Sequence, residues 1–295
     1  MAITAEVIMV CRKIALSEGQ IRQFNQDGFL IIEHFLDEQM VAQLRARFEP
    51  LFAGEFDTGI YPDEWHWREG LSLPDVTRHM GNAWKSDQTI ARLAHSAEIG
   101  RLSATLAGWA GARLGQDTIW WKTPAAKEIA LHQDSTYISF LDPPEMMSCW
   151  ITLDDTSRDA GTIEYARGSH KWPLVEKPGD FHAPERSYRA TMEQAAAAVG
   201  ATTPEIVYVE APAGSCVFHH GNIWHGSGPN TRTDKVRRSI GIHTLSAETK
   251  FRPTGAGYIY GRYQRVGDLT MDESFFPILW TRDGYRSPFL APAED

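Results

Sequence analysis

The stretch SCVFHHGNIWHGSGPNTRTDKVRRSIGIHTL, Ser215 to Leu245, decides how the rest of the chain is read. SCVFHH and RRSIGIHTL are short, β-favouring runs, and the Gly226-Ser227-Gly228-Pro229-Asn230 segment between them leaves the first sharply. His225 is therefore expected at a strand end beside a loop. The same texture extends back to Thr118 through TIWWKT, IALHQD, SCWITL, GTIEYA and EIVYVE. Turn signals stand between these runs at Pro143-Pro144, Asp159-Ala160-Gly161 and Pro212-Ala213-Gly214. Seven such runs within about 130 residues argue for a sandwich or barrel and against βαβ units.

Upstream the pattern is helical. Ser17 with Gln20 forms a capping box ahead of IRQF, and Asp27-Gly28 ends that helix. FLIIE (Phe29 to Glu33) reads as a strand. Asp37 caps EQMVAQLRARFEPLF, where Met40, Val41, Leu44 and Phe48 recur at helical spacing. A third helical zone runs from about Asp87 to Ala110. Lys171 to Pro204 breaks the β rhythm and reads as an insertion with partial helix, including Ala195 to Ala198. The expectation is one domain over 1–295, mainly β with helical support. It comprises a helical part to about 115, a jelly-roll-like β core over about 116–250 and a C-terminal lid segment over about 251–295.

Composition narrows the function classes. With 295 residues, 42% hydrophobic and 23% charged, the chain has the make-up of a globular protein. A net charge of −9 disfavours nucleic acid and anionic membranes as partners, since both reward a positive surface. Cys11, Cys149 and Cys216 are too few and scattered for a disulfide framework, which points to a reducing cytoplasm. The start MAITAEVIMVCRKIAL lacks the basic-then-apolar order of a signal peptide, and no run is long enough to span a membrane.

The chemistry is carried by ALHQDSTYI, Ala130 to Ile138, together with the opening stretch. On a strand, residues two apart project together, so His132 and Asp134 present two metal ligands to one side. His225 supplies a third from a remote segment. Two histidines and one carboxylate with open positions is the arrangement of non-haem Fe(II) oxygenases. His219 and His220 compete with His225, although being consecutive at most one of them faces inward. On RRSIGIHTL, alternation puts Arg237, Ser239, Gly241 and His243 on one face and Arg238, Ile240 and Ile242 on the other. Arg237 could bind a dicarboxylate's far carboxyl group through a bidentate pair, with Ser239 adding a hydroxyl.

The chain resembles the phytanoyl-CoA dioxygenase family of Fe(II)- and 2-oxoglutarate-dependent oxygenases. The likeness runs through QFNQDGFLIIEHFLD, LHQDSTY, WITLDDTSRDAGTIEYARGSHKW, HHGNIWHGSGPN with RRSIGIH, and FFPILW. It implies a double-stranded β-helix with His132, Asp134 and His225 as the iron triad. It also implies Arg237 on the remote carboxylate of 2-oxoglutarate, with Trp150 packed on that cosubstrate. Arg238 stays a competitor for the carboxylate. Lys122, whose ordinary place is solvent, could instead point into the site. Gln133 and Tyr137 flank the metal motif, and Trp65 and His66 lie in the aromatic segment EWHWREG; these four are the substrate-binding candidates.

The implied reaction takes Fe(II), 2-oxoglutarate and O₂, and gives succinate, CO₂ and a hydroxylated small organic metabolite. Related halogenases replace the carboxylate ligand by Gly or Ala, and this chain keeps Asp134, so hydroxylation is the default. Desaturation, epoxidation or ring formation needs only another substrate pose. From other classes, a non-catalytic metal-binding sensor or a zinc hydrolase would use the same triad. Oligomeric state is not legible.

Overall fold

The computed structural model describes residues 10–175, 181–182, 184–201, 203–253 and 257–290. Helix α1 (Glu18–Asp27) begins at the expected capping box and ends at Gly28, whose φ of 84° is left-handed. β1 (Phe29–Ile32) follows, and Asp37 caps α2 (Glu38–Ala53) through a 2.7 Å bond from Met40 N–H. β2 (Glu64–Trp65) and β3 (Arg78–Gly81) come next. The third helical zone is two helices, α3 (Gln88–Ala94) and α4 (Ala97–Ala107), because Asp87 and Ser96 each supply a separate N-cap.

The remaining elements are mostly strands. They are β4 (Gly111–Lys122), β5 (Ile129–His132), β6 (Leu141–Asp142), β7 (Met147–Thr152), β8 (Ile163–Ala166), the helix α5 (Ala190–Ala198) and β9 (Ile206–Tyr208). Then come β10 (Cys216–His220), β11 (His225–Ser227), β12 (Arg237–Ser246), β13 (Lys250–Phe251) and β14 (Ile278–Thr281).

Eight strands form one antiparallel sheet in the order β1-β10-β7-β12-β4-β3-β2, with β14 also on β4; a second sheet runs β5-β11-β8-β9. This is a double-stranded β-helix, a jelly roll, as expected. The large sheet is apolar on its outer face, where Cys149, Ile151, Phe218, Ile240, Ile242, Ile119 and Trp121 pack with Leu44, Phe48, Leu93 and Leu102 of the helices. Burying that face at roughly 25 cal/mol per Å² of apolar surface is what makes the helices part of the fold. Its inner face, set by alternation, carries Trp120, Ser148, Trp150, His219, Arg237, Gly241 and His243 against the small sheet.

Two expectations need correction. The N-terminal third, read as helical with the one strand FLIIE, contributes three strands, because β2 and β3 join the large sheet as well as β1. The strands β2 and β3 are two and four residues long, too short for alternation to show. The segment after 250 is not simply a lid: β14 pairs with β4, bringing Leu279 into the helical core. Of the insertion, α5 is confirmed, while 176–180, 183 and 202 lie outside the described residues, as do 1–9 and 291–295 at the ends.

Candidate active site

His132 ends β5, and Asp134 begins a 3-10 turn, Asp134–Ile138, so the two do not share a strand. They still project together because Gln133 between them is extended, at φ −120° and ψ 119°. His225 opens β11 and pairs with His132 across the ladder; it sits at a strand end beside a turn, as expected, but at the start of the strand, which Gly226 and Ser227 continue. Gly226 permits this contact. A Cβ there would stand 2.8 Å from the Ile129 carbonyl oxygen and 2.9 Å from Leu131 N, both backbone atoms.

Nε2 of His132 and Nε2 of His225 lie 3.4 and 3.5 Å from Asp134 Oδ1, and one ligand atom from each residue falls within 4.8 Å of the others. Both imidazoles are held in the same way, through Nδ1. His132 Nδ1 is 2.9 Å from the Ala130 carbonyl oxygen and His225 Nδ1 is 3.0 Å from that of Ile223. A carbonyl can only accept, so Nδ1 carries the proton and Nε2 presents a lone pair to the common centre. Two neutral imidazoles and a carboxylate converging in this way fit a divalent iron ion.

The carboxylate is fixed from behind. Ser148 Oγ donates to Asp134 Oδ2 at 2.7 Å, and His219 Nε2 stands 3.3 Å from the same oxygen. His219 Nδ1 lies 2.9 Å from the Tyr165 hydroxyl, while His243 Nδ1 is 2.7 Å from Ser148 Oγ and its Nε2 is 3.2 Å from Thr118 Oγ1. Burial alone would raise the Asp134 pKa; His225 and the surrounding imidazoles outweigh it and hold the group well below the usual carboxylate range. His219, the competing ligand candidate, thus anchors Asp134. His220 sits half-buried near His170, away from the triad.

Arg237 lines the same cavity and is fully enclosed. Its Nε and Nη2 donate to the Gly161 carbonyl at 3.2 and 3.0 Å, and its Nη1 donates to Ser239 Oγ at 2.7 Å. Among the described residues these partners are all neutral, and burial draws the guanidinium down to about 10. Asp154 acts on it only through space, and a buried cation with no counter-charge in contact is costly, so the position suits an anionic ligand. Trp150 lies beside it, the guanidinium carbon 5.8 Å from the ring centre.

Several candidates are placed elsewhere. Arg238 points outward and is taken up by Asp154, at 2.8 and 3.0 Å, which ends its competition with Arg237. Lys122 is neither solvated nor in the cavity: its Nζ is buried among the carbonyls of Lys127 and Gly228, behind Arg237. Gln133, facing away from the triad by alternation, donates to Asn222 O and accepts from Val175 N. Trp65 packs on Phe56 and Tyr61 under Arg68. Tyr137 and His66 do line the cavity.

The cavity, of about 280 Å³, also takes in Gln116, Thr118 and Trp120 of β4, His79 of β3, and Phe181 with His182 from the insertion. Inner-face alternation on TIWWKT could have found Thr118 and Trp120. His79, His182 and Ser148 had no usable signal without the partner strands.

Comparison with known proteins settles the class. A profile of the family described as phytanoyl-CoA dioxygenase (PhyH) matches residues 24–239. The chain belongs to that family. A relative from Arabidopsis thaliana named phytanoyl-CoA dioxygenase is 25% identical over 272 residues, covering 79% of this chain and 90% of its own. Among solved structures, the epimerase SnoN from nogalamycin biosynthesis, in complex with Fe3+, alpha ketoglutarate and nogalamycin RO, superposes with a TM-score of 0.67. It is 23% identical, over 89% of this chain and 98% of that one. The carbocyclase SnoK from the same biosynthesis gives 0.68 at 23% identity, over 89% and 96%. As a PhyH-family member, this chain is an Fe(II)- and 2-oxoglutarate-dependent dioxygenase that acts on a small-molecule substrate. No described helix is long and apolar enough to cross a membrane.

Proposed function

We propose that this PhyH-family chain hydroxylates an aliphatic C–H bond of a compact organic metabolite. The balanced reaction is R–H + 2-oxoglutarate + O₂ → R–OH + succinate + CO₂. In this reading His132 Nε2, Asp134 Oδ1 and His225 Nε2 hold the iron, and Arg237 with Ser239 holds the far carboxylate of 2-oxoglutarate against the Trp150 wall. The observation that carries it is the pairing, in one cavity, of a converging two-histidine, one-carboxylate corner with a buried, charge-unpaired guanidinium. Bound iron supplies the coupling of O₂ reduction to decarboxylation of the cosubstrate.

The protein's own share is orientation and exclusion of water. Ala130 O and Ile223 O fix the imidazole tautomers, Ser148 and His219 fix the carboxylate, and Trp120, Phe181 and Tyr137 give the cavity apolar walls. Asp134 keeps a carboxylate at the position that related halogenases give to Gly or Ala, which favours hydroxylation over halogenation. Three buried free cysteines suit a reducing compartment, and we place the protein in the cytoplasm.

Turnover under ¹⁸O₂ tests the reaction type once a substrate responds. Hydroxylation puts one labelled oxygen into succinate and one into the product; desaturation or ring closure labels succinate alone. The class itself is tested by succinate formed from 2-oxoglutarate with Fe(II) and ascorbate, lost on chelation and restored by Fe(II).

A further inference from the structure

We propose that the wall formed by β3 and β4 is a recognition surface for a neutral, hydroxyl-bearing ring compound, and that His79 and Gln116 read its hydroxyl groups. The proposal rests on the oxygenase reading above and names the substrate class for that site. Its first support is a pair of side chains whose hydrogen-bonding capacity is left unused inside the cavity. His79 is 4% exposed, lines the cavity, and has no hydrogen-bond partner on either ring nitrogen among the described residues; Gln116, 8% exposed and also cavity-lining, has none there on Oε1. Buried polar atoms are nearly always paired, and each unpaired one costs about 1–3 kcal/mol, so these atoms are expected to meet a ligand.

The chemistry of the unmet atoms selects the ligand. Burial pushes the His79 pKa well below its ordinary value, with His182 and His66 adding to the effect, so the ring is neutral. A neutral imidazole offers one N–H donor and one acceptor. With Gln116 Oε1, the wall asks for one acceptor and two donors. A carboxylate or phosphate answers only the imidazole N–H; an ammonium answers only the acceptors; an acyl chain answers none. Hydroxyl groups both donate and accept, and two or three of them on one small frame meet every demand.

The shape of the wall selects a ring. His66, His79 and Trp120 stand side by side on β2–β3–β4 as a flat ladder. Ring centres are 5.2 and 4.1 Å apart and planes within 4° and 15° of parallel. One ligand atom each of Glu64, His66 and His79 also lies within 4.8 Å of the others, as in the triad, but His66 is exposed and its Nε2 already faces Glu64 Oε2 at 3.6 Å. Phe181 and His182 face the ladder with centres 5.7–5.9 Å away, His182 from His79 and Trp120 and Phe181 from Trp120. At these separations the rings touch, so a ligand lies on the cavity side of the cluster, where apolar rings suit a compact ring with apolar faces and polar edges; the cavity of about 280 Å³ must also hold the cosubstrate.

The test is equilibrium binding of matched six-membered probes to the anaerobic Fe(II)·2-oxoglutarate protein. The probes are cyclohexane-1,2-diol, cyclohexane, cyclohexanecarboxylate and cyclohexylammonium. The diol is expected to bind at least about tenfold more tightly than each of the other three. His79→Phe, which keeps the ring ladder, and Gln116→Met are each expected to bring the diol-to-cyclohexane ratio towards one. Equal binding of diol and cyclohexane, preference for a charged probe, or a diol preference that survives both substitutions overturns the proposal. Should His79→Phe not fold, Gln116→Met alone decides. Failure of the oxygenase reading would show separately, as no iron-dependent succinate whichever probe binds.

Discussion

Around the iron corner, four imidazoles have every nitrogen assigned; on the wall of β3, His79 has none. His132 and His225 each spend one nitrogen on a backbone carbonyl and aim the other at the centre they share with Asp134. His219 and His243 spend both within the protein, on Tyr165 and Asp134, and on Ser148 and Thr118. The same residue type thus serves two ends. Where geometry must be set before the ligands arrive, side chains hold one another; where the protein must answer a molecule from outside, they are left open.

The largest expected effect is at the corner itself. Asp134→Ala removes one of three ligands and should abolish iron-dependent succinate formation, with bound iron per chain falling to background. The loss should exceed the 10–100-fold typical of outer partners. Retained turnover would mean that the corner is not the metal site.

Next comes the contrast between adjacent arginines. Arg237→Met should raise the 2-oxoglutarate KM by about 10²–10³-fold, as expected for removing a buried charge partner worth about 2–5 kcal/mol. Arg238→Met breaks a pair with Asp154 at the protein's edge, and its effect on KM should be less than about twofold. Equal effects would show that the buried guanidinium does not hold the cosubstrate.

Ser148→Ala should cost about 10–100-fold in iron affinity while leaving the fold intact, because it removes the 2.7 Å bond that fixes Asp134. Metal titration followed by succinate yield measures it. An unchanged affinity would break the argument that the corner is preorganised from behind.

Much of this layout was legible in the chain. The capping box at Ser17, the Asp37 cap, the strand runs and the Arg237–His243 alternation each rest on local pattern, and each is present. The triad was legible because three strong ligand types stood in two short segments. What escaped has a common cause. His79 lies on a four-residue strand whose neighbours are 64–65 and 111–122, and only pairing tells which face it shows. Lys122 shares the inner face with Trp120, yet a nearby turn delivers carbonyls that cover it. Gln133 looked like a site residue from its neighbours, but adjacency in an extended chain means the opposite side.

A half-buried histidine outside the site cavity sharpens the comparison through pH. His95, against Trp84, has a buried Nε2 with no partner among the described residues, and burial lowers its pKa to about 4. Between pH 6.5 and 4 the unfolded chain takes up a proton that the folded chain refuses. Its contribution to stability is therefore intact above 6.5 and is lost as pH falls towards 4, by up to about 3 kcal/mol. His95→Gln should flatten urea-unfolding stability across that window. An unchanged slope would show that the ring is protonated in the fold.

The smallest effect bears most directly on the two kinds of imidazole. If His79 is left open for a ligand, the ligand-free protein carries its cost, and His79→Phe should stabilise that state by about 1–2 kcal/mol, or a few degrees in Tm. His219→Phe removes a side chain bonded at both ends and leaves the Asp134 carboxylate and Tyr165 hydroxyl without it, so the same change should destabilise by about 1–3 kcal/mol. Two identical substitutions with opposite signs are the signature expected. Destabilisation by both would mean that His79 is held by contacts as His219 is, and the division between a fixed corner and an open wall would fail.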